Sequence, residues 1–425
     1  MKEKIEALRD NPQVQKALEF MRNDADHVVE QQIELALIPA YSNHEEKKAQ
    51  RFREMIEEMG YTTIQDEVCN TFAYIPGPEG SPVVMISAHL DTVFPMDTKL
   101  ELKYDGDRIC IPGIGDDTRG CAEILAILRA MKAAEITPAC TLYIGGDVGE
   151  EGVGNFRGMR HIFDTKQMKV DAFVSVDGAG DGLTYGAASD VQYRITFKGP
   201  GGHSMGSFGL VNPIMCMGRT IARIAEERVP SEPYTIFNVS TVEGGTGVTS
   251  IASECSFTMD VRSADAKVMQ DFHQKCLDIA HQCADEEYAR WEEVRQARLA
   301  KVDKIRFDTE ARIEISHEEF SGSIGGVQDE NCEIVTILKN AFAAMGVEPQ
   351  LHALSSTDAN IPLSHGIPAA AISCGGVSGG VHDIREWYDP TDAWKGMQKN
   401  LLCVLALTGV EGISEPLISK TITAE

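Results

Sequence analysis

Residues 83–93, VVMISAHLDTV, open on five mostly apolar positions, Val83 to Ser87, a short run suited to a buried strand. The run breaks into His89-Leu90-Asp91. Residues two apart in an extended chain point to one face, so His89 and Asp91 sit side by side. Open α/β sheets bind ligands at such strand ends. An imidazole beside a carboxylate suits a metal ligand and the group that orients it. The same stretch also reads as a strand end with a surface histidine and a capping aspartate.

Outward from this strand, helical and extended patterns alternate. Asn11-Pro12 is a cap followed by proline at the first helical position. A helix is expected from about 43 to 59, stopped by Gly60, with strands at 62–68 and 72–75. Further segments follow at 118–134, 140–144 and 172–176. That alternation predicts an α/β fold with helices layered on a mixed sheet. From about Ala187 to Ser316 the pattern changes to strand 191–197, helix 212–228, strands 234–243 and 255–262, a long charged helix 264–299 and a strand 304–315. This is a ferredoxin-like βαββαβ block. The α/β pattern resumes with helix 331–345, strands 350–354 and 369–373, and helix 390–408. The expected organisation is therefore a catalytic domain in two parts, 1–186 and 317–425, with an inserted lid or dimerisation domain at 187–316.

Composition narrows the class. With 425 residues, 43% hydrophobic and 24% charged, the chain can bury a sizeable core. A formal net charge of −26 argues against nucleic acid or an anionic membrane as partner. The 11 cysteines are unpatterned, which fits reduced thiols and a cytoplasmic location. The first residues, MKEKIEALRD, lack the apolar region of a signal peptide, and no run approaches the ~20 apolar residues of a membrane span.

More acidic or histidine-bearing clusters fall after predicted strands or in glycine-rich turns. Gly113-Ile-Gly-Asp116-Asp117 precedes a helix, so either aspartate could be its N-cap. Glycines flank Glu150 and Glu151 in GGDVGEEGVG, where two like charges repel unless a cation or a shared proton compensates. Val174-Ser-Val-Asp177 ends a strand in a carboxylate, and Gly379-Gly-Val-His382 supplies a late histidine. Imidazole and carboxylate donors without thiols suit zinc, cobalt or manganese and argue against a structural zinc site. There are more donors than one tetrahedral ion uses, which points to two ions sharing a carboxylate.

Together, SAHLDTV, GDD, GEEGVG, VDG and VHD resemble the motifs of the dinuclear zinc peptidases that include peptidase T, carboxypeptidase G, aminoacylase and succinyl-diaminopimelate desuccinylase. The resemblance implies that His89 and Asp177 bind one zinc, Glu151 and His382 the other, and that Asp116 bridges them. Asp91 would orient His89. Glu150 would be the general base, taking a proton from a metal-bridging water and passing it to the leaving amine. His203, in Gly201-Gly-His-Ser204, would stabilise the oxyanion, in the family often from the partner subunit of a homodimer. Arg262 matches an arginine that holds a substrate carboxylate. It reads equally as a strand-end surface arginine. Asp358 and Asn360, in SSTDAN, would belong to a substrate-binding loop. One departure is Thr249-Ser-Ile-Ala252, where many relatives carry asparagine in an NxIP-like turn.

The implied activity is amide hydrolysis in short peptides or N-acyl amino acids. A different reading takes Gly202-His-Ser204-Met-Gly206 as a GxSxG elbow, with Asp358 and His382 completing a serine triad. Its context is poor, because Gly199-Pro200-Gly201 breaks the strand before the serine. A metal-binding homologue without catalysis is a third reading.

Overall fold

The strand that begins at Val83 continues to His89, so the histidine is its last residue rather than its break. The structure, a computed structural model, describes residues 1–166, 168–300, 308 and 310–420. Val83–His89 lies inside an eight-stranded sheet. Its neighbours Thr141–Asp147 and Ala172–Val176 run parallel to it, and Ala369–Ile372 runs parallel to Ala172–Val176. Parallel strands end on one edge, so the segments after His89, Asp147 and Val176 open onto the same side. Thr71–Ile75 adds to one flank of this core in antiparallel register. Gly182–Thr184 adds to the other.

The helix Thr118–Ala133 packs on this sheet and is buried along nearly its whole length. Its approach requires a glycine at 120. A Cβ there would lie 2.2 Å from the Val176 carbonyl oxygen and 2.4 Å from the Asp117 carboxylate. The contact thus brings the helix start against the strand end that carries Asp177. Pro12–Asn23 begins as expected, with the Asn11 side chain accepting from the backbone of Gln13 and Val14. The helix expected from 43 starts only at Glu46, because Asn43 takes a left-handed backbone conformation (φ 72°). The strand expected at 62–68 shrinks to Thr63–Gln65. Asp66 closes a turn there, accepting from the backbone of Val68 and Asn70.

The chain divides into two units, Met1–Ala187 with Gly325–Glu425, and Ala188–Ile324. The second unit follows the βαββαβ order. Its four strands pair antiparallel in the spatial order Thr235–Gly244, Glu254–Ser263, Ser189–Lys198, Glu314–Ser323. Alternate residues of the central strand, Val191, Tyr193, Ile195 and Phe197, are buried with residues of the helices Pro213–Glu226 and Ala266–Arg290. Two expectations need correcting. The long charged helix is two helices, Ala266–Arg290 and Glu292–Leu299, separated at Trp291. The last strand is Glu314–Ser323 rather than 304–315, and 304–307 and 309 lie outside the described residues. A boundary at 316 would cut this strand, whose pairing with Ser189–Lys198 runs on to Ser323.

Candidate metal centre

The strand-end motifs of the first unit converge. His89 Nε2 lies 3.0 Å from Asp116 Oδ1, and His382 Nε2 lies 3.1 Å from Asp116 Oδ2 and 2.8 Å from Glu151 Oε1. Each oxygen of Asp116 therefore faces a different imidazole. His89, Asp116 and Asp177 form one set of mutually close donor atoms, and Asp116, Glu151 and His382 form another. Asp116 belongs to both. Glu150 joins His89 and Glu151 in a third set.

These groups are short of positive charge. Burial, reinforced by the Asp116 charge, pushes the Asp177 carboxyl up to about 7. Burial and the charge of Glu151 hold Glu150 well above the usual carboxylate range. Glu151 is raised by burial as well. Burial acts in the same direction on Asp116, but the rings of His382 and His89 outweigh it and hold that carboxyl low. His382 itself is pushed up to about 10, chiefly by Asp116 and then by Glu151. Enclosed carboxylates facing too few cations are stabilised by divalent ions. The donor set fits two such ions sharing Asp116.

The backbone around these groups is held by three further carboxylates, those of Asp117, Asp91 and Glu386. Asp117, not Asp116, caps the helix from Thr118, accepting from Gly120 N at 3.1 Å. Its other oxygen accepts from the His89 backbone N–H at 3.1 Å. This leaves Asp116 free to face the histidines. The peptide between the two aspartates is cis. Asp91 was expected to orient His89, but the His89 Nδ1 lies nearer its backbone carbonyl, at 3.1 Å, than its carboxylate, at 3.6 Å. That carboxylate accepts instead from the backbone N–H groups of Gly149, Glu150 and Glu151 and from the Ser42 hydroxyl. Asp91 thus fixes the glutamate turn more directly than it fixes the imidazole.

Glu386 went unnoticed in the sequence. It is fully buried, and its carboxylate accepts from Gly113 N at 2.7 Å, Gly115 N at 2.9 Å and Asp116 N at 3.0 Å. Its only sequence signal is an acidic residue four positions after His382. The His382 backbone has a φ of 64°, a left-handed conformation rare for a non-glycine residue.

The remaining expected site residues fare differently. Asp358 and Asn360 are fully buried, so neither presents a side chain to a substrate here. The charge of the Asp147 carboxylate acts on Asp358 inside the fold, and Asn360 Oδ1 accepts from the Thr357 backbone. They shape the interior of the loop. In the second unit, His203 is exposed, with Nδ1 accepting from Gly206 N at 3.2 Å. Arg262 forms an ion pair with Asp260 at 3.0 Å and is partly exposed. The serine elbow is not formed. Gly202–His203 pairs with Ser250–Ile251 ahead of Ser204, and the next helix starts only at Pro213. The engagement of His382 Nε2 by Asp116 and Glu151 takes the base out of that triad.

The sequence profile of peptidase family M20/M25/M40 matches residues 85–404, a span that holds the converging residues from His89 to His382. The chain belongs to peptidase family M20. It is a hydrolase of a metal-dependent family that cleaves peptide and amide bonds. No curated protein sequence matches it. Solved structures share its fold at low identity. An aminopeptidase PepT from Bacillus cereus ATCC 10987 is 18% identical, covering 89% of this chain and 98% of its own, with a TM-score of 0.68. A tripeptidase from Staphylococcus aureus is 18% identical over 89% of this chain and 97% of its own, at 0.70. Human carnosine dipeptidase 1 is 13% identical over 92% and 99%, at 0.65. Among the described residues of this M20 chain, no helix is long and apolar enough to cross a membrane.

Proposed function

We propose that this M20 protein is a dinuclear metal-dependent exopeptidase or amidohydrolase acting on short peptides or N-acyl amino acids. The observation that carries the reading is Asp116, whose two oxygens each meet a different histidine and which belongs to both donor sets. His89 and Asp177 would hold one ion and Glu151 and His382 the other, with zinc the best match to the donors and cobalt or manganese also suited. Two ions bound there would lower the pKa of a water and polarise the scissile carbonyl.

The rest is the work of the chain. Glu150 takes the proton of the attacking water and delivers it to the leaving amine, and Asp91 keeps it in place through the backbone of its turn. His203 donates to the oxyanion across a homodimer, and Arg262, released from Asp260, receives the free carboxylate of the substrate. The setting is cytoplasmic, in keeping with 11 free cysteines.

The test is chelation followed by metal return, assayed on dipeptides, tripeptides and N-acyl amino acids. Activity should vanish with the metal and come back with zinc, cobalt or manganese. Full activity in protein shown to be metal-free would overturn the reading, and fluorophosphonate labelling of Ser204 would point to the serine hydrolase instead.

A further inference from the structure

A second cluster of imidazole and carboxylate groups lies within the Ala188–Ile324 unit. His317 and Glu319 are two apart on the edge strand Glu314–Ser323, so their side chains share a face. They stand opposite Ile195 and Tyr193 of the neighbouring strand. His273, from the helix Ala266–Arg290, joins them from above. One donor atom from each of the three lies within 4.8 Å of the other two. The His273 and His317 rings are 5.8 Å apart and nearly perpendicular, at 77°.

The spacing between His273 and Glu319 is informative. Nδ1 and Oε1 are 3.6 Å apart, outside hydrogen-bonding range. With metal–ligand bonds of ~2.0–2.2 Å, two corners of a tetrahedral zinc sphere stand roughly 3.4 Å apart. The pair is too far apart for a direct hydrogen bond and close enough for both atoms to reach one ion. The His273 ring packs on Tyr193 at 4.2 Å, which fixes its orientation. Its Nε2 is buried with no hydrogen-bond partner among the described residues, so Nδ1, facing Glu319, is the polar side of the ring that is open to a ligand.

We propose that His273, His317 and Glu319 form a separate zinc site that pins the edge strand to the helix above it. Two imidazoles and one carboxylate complete three corners of a tetrahedron, and solvent takes the fourth. The site owes nothing to the dinuclear reading, because none of its donors belongs to the first unit. It closes a contact between elements far apart in sequence, and a bound ion stabilises only the folded form.

The experiment equilibrates the full chain with a fixed free zinc concentration, removes unbound metal and counts zinc per chain. His317→Ala and Glu319→Gln should each hold one equivalent less than the unaltered chain while keeping its turnover. Equal zinc content in all three would overturn the proposal. Because His317 is exposed, its replacement leaves the core untouched. As an independent readout, cobalt added to His317→Cys should give a thiolate-to-metal charge-transfer band absent from the unaltered chain. Failure of that band to appear would also overturn it.

Discussion

Two clusters in this molecule use the same donor chemistry in opposite settings. In the first unit, His89 is 1% exposed, and ring-to-carboxylate distances run from 2.8 to 3.1 Å. In the second, Glu319 is 55% exposed, and its oxygen stands 3.6 Å from His273. The buried cluster is over-determined, since Asp91, Asp117 and Glu386 each fix a ligand segment through backbone N–H groups. Its carboxylates lose their water whether or not metal is present, so the empty site carries a cost. In the second cluster His317 and Glu319 keep their water, so these two groups cost little when no ion is bound. Under these two proposals, the more enclosed cluster is the chemical one and the more open cluster serves attachment, although His382 of the first is itself 51% exposed.

The sharpest way to break this contrast is Glu150→Ala. Loss of the base should lower kcat by about 10²–10⁴-fold while the two metal ions remain. Measuring kcat beside metal content decides it. Near-normal turnover would remove Glu150 from the role of base, and the enclosed cluster would lose its claim to be the chemical one. His317→Ala, in comparison, should leave kcat where it is.

The next effect is indirect. Glu386 touches no expected ligand side chain, yet its carboxylate holds the turn that presents Asp116. Outer partners of this kind typically govern metal affinity by about 10–100-fold. Glu386→Gln should weaken zinc binding to that extent, and saturating zinc should restore most of kcat. Unchanged affinity in a competition titration would show that the turn holds its shape without the charge.

How far the sequence went follows from the same distinction. The convergence of the proposed ligands was legible because each follows a strand or sits in a glycine-rich turn. The parallel strands bring His89, Glu151 and Asp177 to one edge, whereas Asp116 and His382 arrive on turns beside a separate four-stranded sheet that includes Arg108–Cys110 and Trp387–Asp389. Glu386 was not legible, since its partners lie more than 200 residues away and are backbone N–H groups, which leave no side-chain signature. Asp358 and Asn360 misled for the opposite reason. Polar residues between turn signals read as exposed, whereas the fold buries them completely. The same limit applies to the strand Glu314–Ser323, whose exposed edge position gives little alternation to read. The His273 cluster escaped notice because a helix and a strand separated in sequence, Ala266–Arg290 and Glu314–Ser323, supply it.

The smallest effect concerns stability without metal. Asp177 rises to about 7 in the folded protein, against an ordinary aspartate value near ~3.9. Between those values the folded form binds more protons than the unfolded chain, so stability is greatest below about 4 and falls as pH rises toward 7. His382, raised to about 10, extends the decline on the alkaline side. Asp116 is held low and acts only in acid, where its contribution is lost as pH falls. The chelated protein should therefore melt several degrees lower at pH 8 than at pH 5, and Asp177→Asn should flatten the slope. Zinc reverses the sign, because its ligands bind it only when deprotonated and its affinity grows with pH. Equal slopes with and without metal would mean that Asp177 does not face the ions. Opposite slopes, with the Asp177→Asn protein keeping only the shallower decline due to His382 in the chelated state, would place the larger share of the unbalanced charge on Asp177.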